Sequence, residues 1–113
     1  MAAVLSKLSK FTRQEIDRLW KEAHRVVKHD GLHILLAPRS GEFGRLLIVL
    51  PKHIGNAPTR NKLRRQLKHI FYEQKFHEGE RDWIIIVRPA ATQLDFSALQ
   101  KLLLHAHSIQ LQK

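Results

Sequence analysis

The chain has 113 residues, 43% of them apolar, and its 20 Lys and Arg against 10 Asp and Glu give a formal net charge of +10. This composition is typical of one folded domain over residues 1–113, in which residues 1–10 form a flexible basic extension, and the charge favours an anionic partner. The lack of cysteine excludes disulfides and thiolate chemistry. No apolar run approaches the roughly 20 residues of a membrane span, and no secretory signal is recognisable, so we expect a cytoplasmic protein without membrane contact.

A capping box begins the first predicted helix. The Thr12 hydroxyl can accept a hydrogen bond from the Glu15 amide, and the Glu15 carboxylate can reach back to the Thr12 amide. The helix is predicted to be amphipathic and to end before Asp30. Because large aromatic residues on apolar stripes are usually core, the pattern alone favours burial of Trp20 over a place in a base-stacking groove. The apolar residues at helical spacing are Ile16, Leu19, Trp20, Ala23 and Val27.

Two short apolar runs follow, over residues 32–37 and 46–50. They predict two neighbouring strands joined by a connection that contains Gly41. Continuous apolarity in the second run indicates a strand covered on both faces. A loop over residues 52–59 then leads into a helix, with Asn56 as its N-cap.

The second predicted helix runs from about residue 58 to residue 76 and is amphipathic. One side carries Leu63, Leu67, Ile70 and Phe71, which predicts a narrow buried stripe. The basic residues Arg60 and Arg64 lie on the flank of that stripe. The opposite side carries Asn61, Lys62, Arg65, Lys68, His69 and Tyr72.

Charge is distributed unevenly along the chain. Residues 43–72 contain seven Lys or Arg and no Asp or Glu, whereas the rest of the chain mixes both signs. Like charges four residues apart on a helix cost a few tenths of a kcal/mol per pair, so this clustering is not explained by helix stability. A surface without carboxylates is suited to a polyanion, because an acid would repel phosphate at short range.

A strand over residues 83–87 and a final helix complete the predicted elements. Asp95 is a good N-cap for that helix, whose apolar residues recur at helical spacing through Ile109. The order of elements indicates an α+β sandwich with one sheet.

Neither metal binding nor catalysis by the protein is favoured by the sequence. The eight histidines lack the spacing of zinc sites, and the acids form no convincing pair for Mg²⁺. We therefore predict no catalytic residue and no metal ligand.

Residues 52–68, KHIGNAPTRNKLRRQLK, resemble the signature of bacterial ribonuclease P protein components, in which a Lys-Lys-x-Gly-Asn-Ala loop enters a helix that opens with Arg-Asn-Arg. Residues 12–20, 45–52 and 83–103 match further parts of that family in the same order. The resemblance implies an α+β fold, a single α-β-β-β-α-β-α sandwich with a left-handed β-α-β crossover, similar to domain 2 of ribosomal protein S5.

The resemblance also implies a function. In this family a catalytic RNA with bound Mg²⁺ cleaves precursor tRNA, and the protein is a non-catalytic subunit of the endoribonuclease that binds that RNA and the 5′ leader. It implies no cofactor held by the protein alone and no required protein partner. By position, it assigns Ile16, Trp20 and His33 to a leader groove. It assigns RNA binding to Lys52, His53, Arg60, Asn61, Lys62, Arg64, Arg65 and Lys68.

Two other hypotheses remain open at this stage. The first is a generic ribosome- or structured-RNA-binding domain that uses the same basic helix without a role in cleavage. The second is a self-sufficient metal-dependent nuclease, which would require acids such as Asp17 or Asp82.

Overall fold

The computed structural model describes residues 11–111, so the expected extension over residues 1–10 lies outside the described part. Three short 3-10 turns connect the main elements: Lys52–Ile54, Phe76–Glu78 and Pro89–Gln93. The observed α-β-β-β-α-β-α order confirms the α+β fold class. In chain order the elements are α1 (Arg13–Glu22), β1 (His24–Lys28), β2 (Leu32–Pro38), β3 (Leu46–Val49), α2 (Ala57–Glu73), β4 (Arg81–Val87) and α3 (Phe96–Leu111).

The four strands form one sheet in the order β1-β2-β4-β3. β1 pairs with β2 and β2 with β4 in antiparallel fashion, whereas β3 and β4 are parallel. A parallel pair needs a long crossover, and α2 supplies it. The two strands predicted as neighbours are β2 and β3. That prediction is wrong, because the chain returns through α2 and places β4 between them. The left hand of this crossover stays a prediction of the resemblance.

The two faces of the sheet are covered unequally. On one face, α2 and α3 bury the main core, in which Leu67 and Leu103 pack with Ile34 and Ile85 of the central strands. On the other face, α1 contributes Leu19 to a smaller cluster with Leu35, Ala37 and Ile84. The exposed part of this second face is where a groove can form beside α1.

The first helix begins as predicted and ends earlier. Thr12 Oγ1 accepts from the Glu15 amide at 3.2 Å and Glu15 Oε1 accepts from the Thr12 amide at 2.9 Å, which confirms the capping box. The helix ends at Glu22, and Val27, which was assigned to its apolar face, lies buried in β1. Residues 24–28 pair with β2 instead, because a short segment with adjacent β-branched valines gains more from sheet pairing.

β3 is an edge strand with apolar packing on both of its faces, so the prediction of a strand covered on both faces is confirmed, although the cover is incomplete. Leu46 is buried, whereas Leu47, Ile48 and Val49 are only half-buried. Pairing with β4 on one side alone explains the difference. Its apolar residues contribute to both faces of the sheet, since Ile48 packs against the main core and Val49 against the cluster beneath α1.

Candidate nucleic-acid interface

The basic helix α2 has the N-terminal cap that its sequence predicts. Asn56 Oδ1 accepts from the Thr59 amide at 2.9 Å, and Pro58 lies in the first turn. The helix ends at Glu73, three residues before the predicted end, because Lys75 adopts a left-handed backbone with φ of 60°. This positive φ starts the turn that leads back towards β4.

The buried stripe of α2 is confirmed. Leu63, Leu67, Ile70 and Phe71 are at most 4% exposed and belong to the main core. This packing orients the whole helix, so its basic residues occupy the remaining surface. Among the predicted RNA-binding residues of α2, Asn61, Lys62 and Arg65 are exposed, and Arg60, Arg64 and Lys68 are half-buried.

Hydrogen bonds join the helix to the turn that precedes it. Arg60 Nη1 donates to the Lys52 carbonyl at 3.2 Å, and Arg64 Nη1 donates to Asn61 Oδ1 at 2.8 Å. Each guanidinium has five N–H groups, so these bonds leave most donors available to a ligand. Lys52 and His53 are exposed on the turn itself. The structure therefore brings all eight residues assigned to RNA binding onto α2 or the turn beside it.

Arg45 belongs to residues 43–72, the segment without acids, but it lies apart from the surface formed by α2 and the turn before it. Its side chain is 15% exposed and forms an ion pair with Glu15 of α1, and its guanidinium lies 4.1 Å from the centre of the Phe11 ring. The Arg45 guanidinium and the capping bond to Thr12 lower the pKa of Glu15 from 4.5 to about 2. Arg45 thus serves to hold α1 on the sheet.

Asp82 provides a second attachment for α1. It is fully buried, its Oδ2 accepts from Arg18 Nη2 at 2.8 Å, and its Oδ1 accepts from the Arg45 backbone amide at 2.9 Å. The sequence predicted that this strand begins at residue 83, whereas β4 already begins at Arg81 and includes Asp82. An acid that is ion-paired and enclosed in this way is structural.

Trp20 lies on the surface of α1. Its side chain is 43% exposed, so the pattern-based preference for burial is wrong. Leu19, its neighbour, takes the buried position against the sheet, and Ile16 is half-buried one turn earlier. An exposed indole is available for stacking on an unpaired base.

His33 lies on the same face of the sheet as α1. Side chains alternate along β2, so His33 shares a face with Leu35 and Ala37, which pack beneath Leu19. His33 itself is only half-buried, as is its β4 partner Ile86. α1 therefore covers one end of this face and leaves the end at His33 more accessible. The assignment of Ile16, Trp20 and His33 to a leader groove stays a prediction.

Three cations that the sequence did not predict for this site act on His33. Burial, followed by the charges of Arg25, Arg88 and Lys28, lowers the pKa of His33 below its usual 6.5. Arg25 lies opposite Leu35 in the β1–β2 pair and Lys28 lies opposite His33, so both belong to the groove face. The sequence predicted that the first helix continues through residues 24–28, so Arg25 and Lys28 were not expected on the sheet. Their shared face follows only from the pairing of residues 24–28 as β1.

Within residues 11–111, no three His, Asp or Glu side chains are grouped so that they could hold a metal ion. None of the helices described is long and apolar enough to cross a membrane. The features that remain are the basic surface of α2 and the partly open sheet face beside α1.

Comparison with known proteins gives concordant results. A family model described as Ribonuclease P matches residues 6–109. The ribonuclease P protein component of Streptococcus agalactiae is 35% identical over 65 residues, and this alignment covers 58% of the chain but only 60% of the relative's length. That of Halalkalibacterium halodurans is 30% identical over 92 residues, covering 80% of the chain and 77% of the relative.

Solved structures show the same relationship. The RNase P protein of Staphylococcus aureus superposes with a TM-score of 0.78 at 26% identity, over 91% of this chain and 94% of that one. The RNase P protein of Thermotoga maritima gives a TM-score of 0.71 at 25% identity, over 85% and 91%. With a family model that matches nearly the whole chain, these likenesses show that the chain belongs to the family of bacterial ribonuclease P protein components.

Proposed function

We propose that this chain is the protein subunit of a ribonuclease P, which binds the catalytic RNA and the 5′ leader of precursor tRNA. The RNA subunit, with bound Mg²⁺, carries the cleavage that gives mature tRNA 5′ ends. The protein donates no acid, base or metal ligand to that step and needs no cofactor or protein partner of its own. It works in the cytoplasm, where tRNA precursors are processed.

The observation that carries this proposal is the single basic surface formed by α2 and the turn before it. The eight residues assigned to RNA binding share this surface, and the Arg60 bond to the Lys52 carbonyl ties its two parts together. No acid occurs between residues 43 and 72, and the acids nearest to this surface come from outside that segment, Glu73 at the end of α2 and Asp95 beside Lys62. Neutralising closely spaced phosphates in this way releases counterions and lets two RNA strands approach one another.

The groove beside α1 supports the second half of the proposal. Trp20 offers a stacking surface, and Arg25, Lys28 and Arg88 surround His33 on the floor of the sheet. A single RNA strand binds by stacking its bases on aromatic rings and tracking its phosphates along cations. The leader is the single-stranded part of the substrate, so it fits this groove.

The test is reconstitution with a bacterial ribonuclease P RNA at low Mg²⁺. Adding the protein should stimulate 5′ cleavage of precursor tRNA and lower the Mg²⁺ concentration needed, since protein cations replace part of the ionic neutralisation. Stimulation should grow with leader length until the leader spans the groove. A basic RNA-binding protein of unrelated fold and equal net charge is the control.

Two outcomes would contradict the proposal. RNA binding without any stimulation would indicate a generic structured-RNA-binding domain. Cleavage of precursor tRNA by the protein and Mg²⁺ alone would indicate a nuclease, although Asp82, an acid named for that role, is enclosed by Arg18 and the Arg45 amide.

A further inference from the structure

A pocket of about 410 Å³ lies between the basic helix α2 and the segment that leads into α3. Its volume is in the range of small-ligand sites in proteins. Lys62, an exposed base of the RNA-binding surface, is part of its wall, so the pocket adjoins that surface directly. The lining residues are Thr59, Lys62, Leu63, Gln66, Thr92, Leu94, Asp95 and Phe96.

The wall of the pocket combines apolar surface with complementary polar groups. Leu63 is buried and Leu94 is half-buried, and the two provide an apolar floor. Phe96 is half-buried, and its ring lies 5.7 Å from that of His69, which holds it beside the helix. Gln66 can donate from its amide, and Asp95 can only accept. These groups match a flat heteroaromatic ring with both donors and acceptors on its edge.

Asp95 caps α3 and keeps accepting capacity. Its Oδ1 accepts from the Ala98 amide at 2.8 Å. Its negative charge also interacts favourably with the N-terminus of α3. The capping bond occupies one of the roughly four lone-pair positions of a carboxylate, so Asp95 remains able to accept from a ligand.

The donor pattern selects one base among the four. Guanine presents two adjacent donors, N1–H and the N2 amino group, next to the O6 acceptor. A carboxylate can accept both donors while an amide N–H donates to O6. Adenine and cytosine place an acceptor ring nitrogen beside their amino group, and uracil flanks its N3–H with two carbonyls, so each would set a lone pair against Asp95. Unpaired bases of RNA are read on this edge and stacked on aromatic rings.

We propose that this pocket binds an unpaired guanine of the ribonuclease P RNA. Asp95 accepts from N1–H and the N2 amino group, Gln66 donates to O6, Phe96 contacts the face of the base, and Lys62 binds the adjoining phosphate. The inference rests on the proposed function for the identity of the RNA, and it adds base readout to a surface that otherwise recognises only phosphates.

The first experiment measures binding of fluorescent pentaribonucleotides whose central base is guanine, inosine or adenine between uridines. Because a good two-bond contact discriminates by about ten-fold, the protein should bind the guanine oligomer about ten-fold more tightly than the adenine one. Inosine, which lacks the N2 amino group, should fall between them. Asp95→Asn keeps the cap and should abolish the preference with an unchanged melting temperature. Glu78→Gln, which removes an exposed acid elsewhere, should retain it.

The outcomes separate this inference from the proposed function. Equal affinity for the three oligomers, or a preference that survives Asp95→Asn, would overturn the guanine site even if the protein stimulates cleavage with the catalytic RNA. A guanine preference lost only in Asp95→Asn would support the site even if stimulation failed. In the reconstituted enzyme, Asp95→Asn should weaken binding of the catalytic RNA about ten-fold without changing its salt dependence.

Discussion

Asp82 is fully buried with an ion pair to Arg18 and a hydrogen bond from the Arg45 amide. Removing one partner of such a pair leaves the other charge uncompensated, which costs 3–5 kcal/mol when both are buried. The Arg18 side chain is 28% exposed and can be partly hydrated. We therefore expect Asp82→Ala to lower the free energy of unfolding by about 3 kcal/mol, at the lower end of that range, as measured by urea denaturation.

The matched control is Glu22→Ala, which removes the other ion pair of Arg18. Glu22 is 44% exposed in its side chain, and exposed pairs contribute at most about 1 kcal/mol. Equal losses in the two variants would contradict the structural role of Asp82.

Trp20 should affect RNA binding and leave stability nearly unchanged. The indole is 43% exposed, so Trp20→Ala removes little buried area. Stacking of a base on an aromatic side chain contributes about 1 to 3 kcal/mol. We expect Trp20→Ala to weaken binding of precursor tRNA with a leader by about ten-fold or more, without affecting tRNA that lacks one. A similar loss with leaderless tRNA would place Trp20 outside the groove.

The lowered pKa of His33 leads us to expect that leader binding depends on pH. Its folded pKa is lowered, so the folded protein binds fewer protons than the unfolded chain, and stability falls as the pH drops below 6.5. Phosphates placed among Arg25, Lys28 and Arg88 offset the charges that lower this pKa. Binding should therefore take up protons and tighten as the pH falls from 8 towards 6.

Two histidine variants separate the possible sources of that pH dependence. His33→Gln should flatten the pH profile of leader affinity, whereas His53→Gln should leave it intact. Titration by NMR should show the His33 pKa rising in Arg25→Gln, because one of the three cations is then absent. An unshifted His33 pKa in that variant would contradict the placement of Arg25 on the groove face.

The two sides of helix α2 have different roles, one in folding and the other in RNA binding. Its leucine side holds it on the sheet, and its basic side contributes little to folding, because like charges four residues apart repel. Replacing Arg60 and Arg64 with Gln should leave the free energy of unfolding unchanged or raise it by a few tenths of a kcal/mol. Each lost phosphate contact should reduce the salt-dependence slope of RNA binding by about 0.7 to 0.9.

The control for this pair lies on α3, where Lys101 is exposed. Lys101→Gln removes one positive charge away from the surface of α2 and should hardly change the slope. If the double variant bound RNA with the slope of the original protein, α2 would not be the RNA-binding element.

The elements also differ in how far the sequence alone predicts them. The capping box of α1, the leucine stripe of α2 and the Asp95 cap of α3 each depend on residues within a few positions of one another, and all three are confirmed. The sequence pattern did not predict β1, because its five residues also fit the apolar spacing of the preceding helix. Only pairing with β2 distinguishes the strand from a helix.

The sheet carries the main core on one face and the less firmly packed helix α1 on the other. α2 and α3 share the main core, whereas α1 buries Leu19 alone completely and depends on ion pairs through Arg18 and Glu15. Segments with little buried apolar surface open locally at lower free energy than the core. We expect amide hydrogens of α1 to exchange faster than those of β2 and β4, as measured by native-state hydrogen exchange.

The ion pair between Glu15 and Arg45 allows a second test of this prediction by hydrogen exchange. Glu15→Gln should increase exchange in α1 without changing that of β4. Because the folded pKa of Glu15 lies near 2, below 4.5, its stabilising effect is complete above pH 4.5 and is lost as the pH falls towards 2. Equal protection in α1 and the central strands would show that the helix opens only when the whole protein unfolds.

The helix caps, the basic residues of α2 and the family resemblance can be recognised from the sequence alone, because each depends on residues close together in the chain. The place of β4 between β2 and β3, the pairing of Arg18 with Asp82 across 64 residues, and the grouping of Arg25, Lys28 and Arg88 near His33 follow only from the fold. These features arise from pairing between distant segments, and the pairing partner of a strand is not written in its own residues.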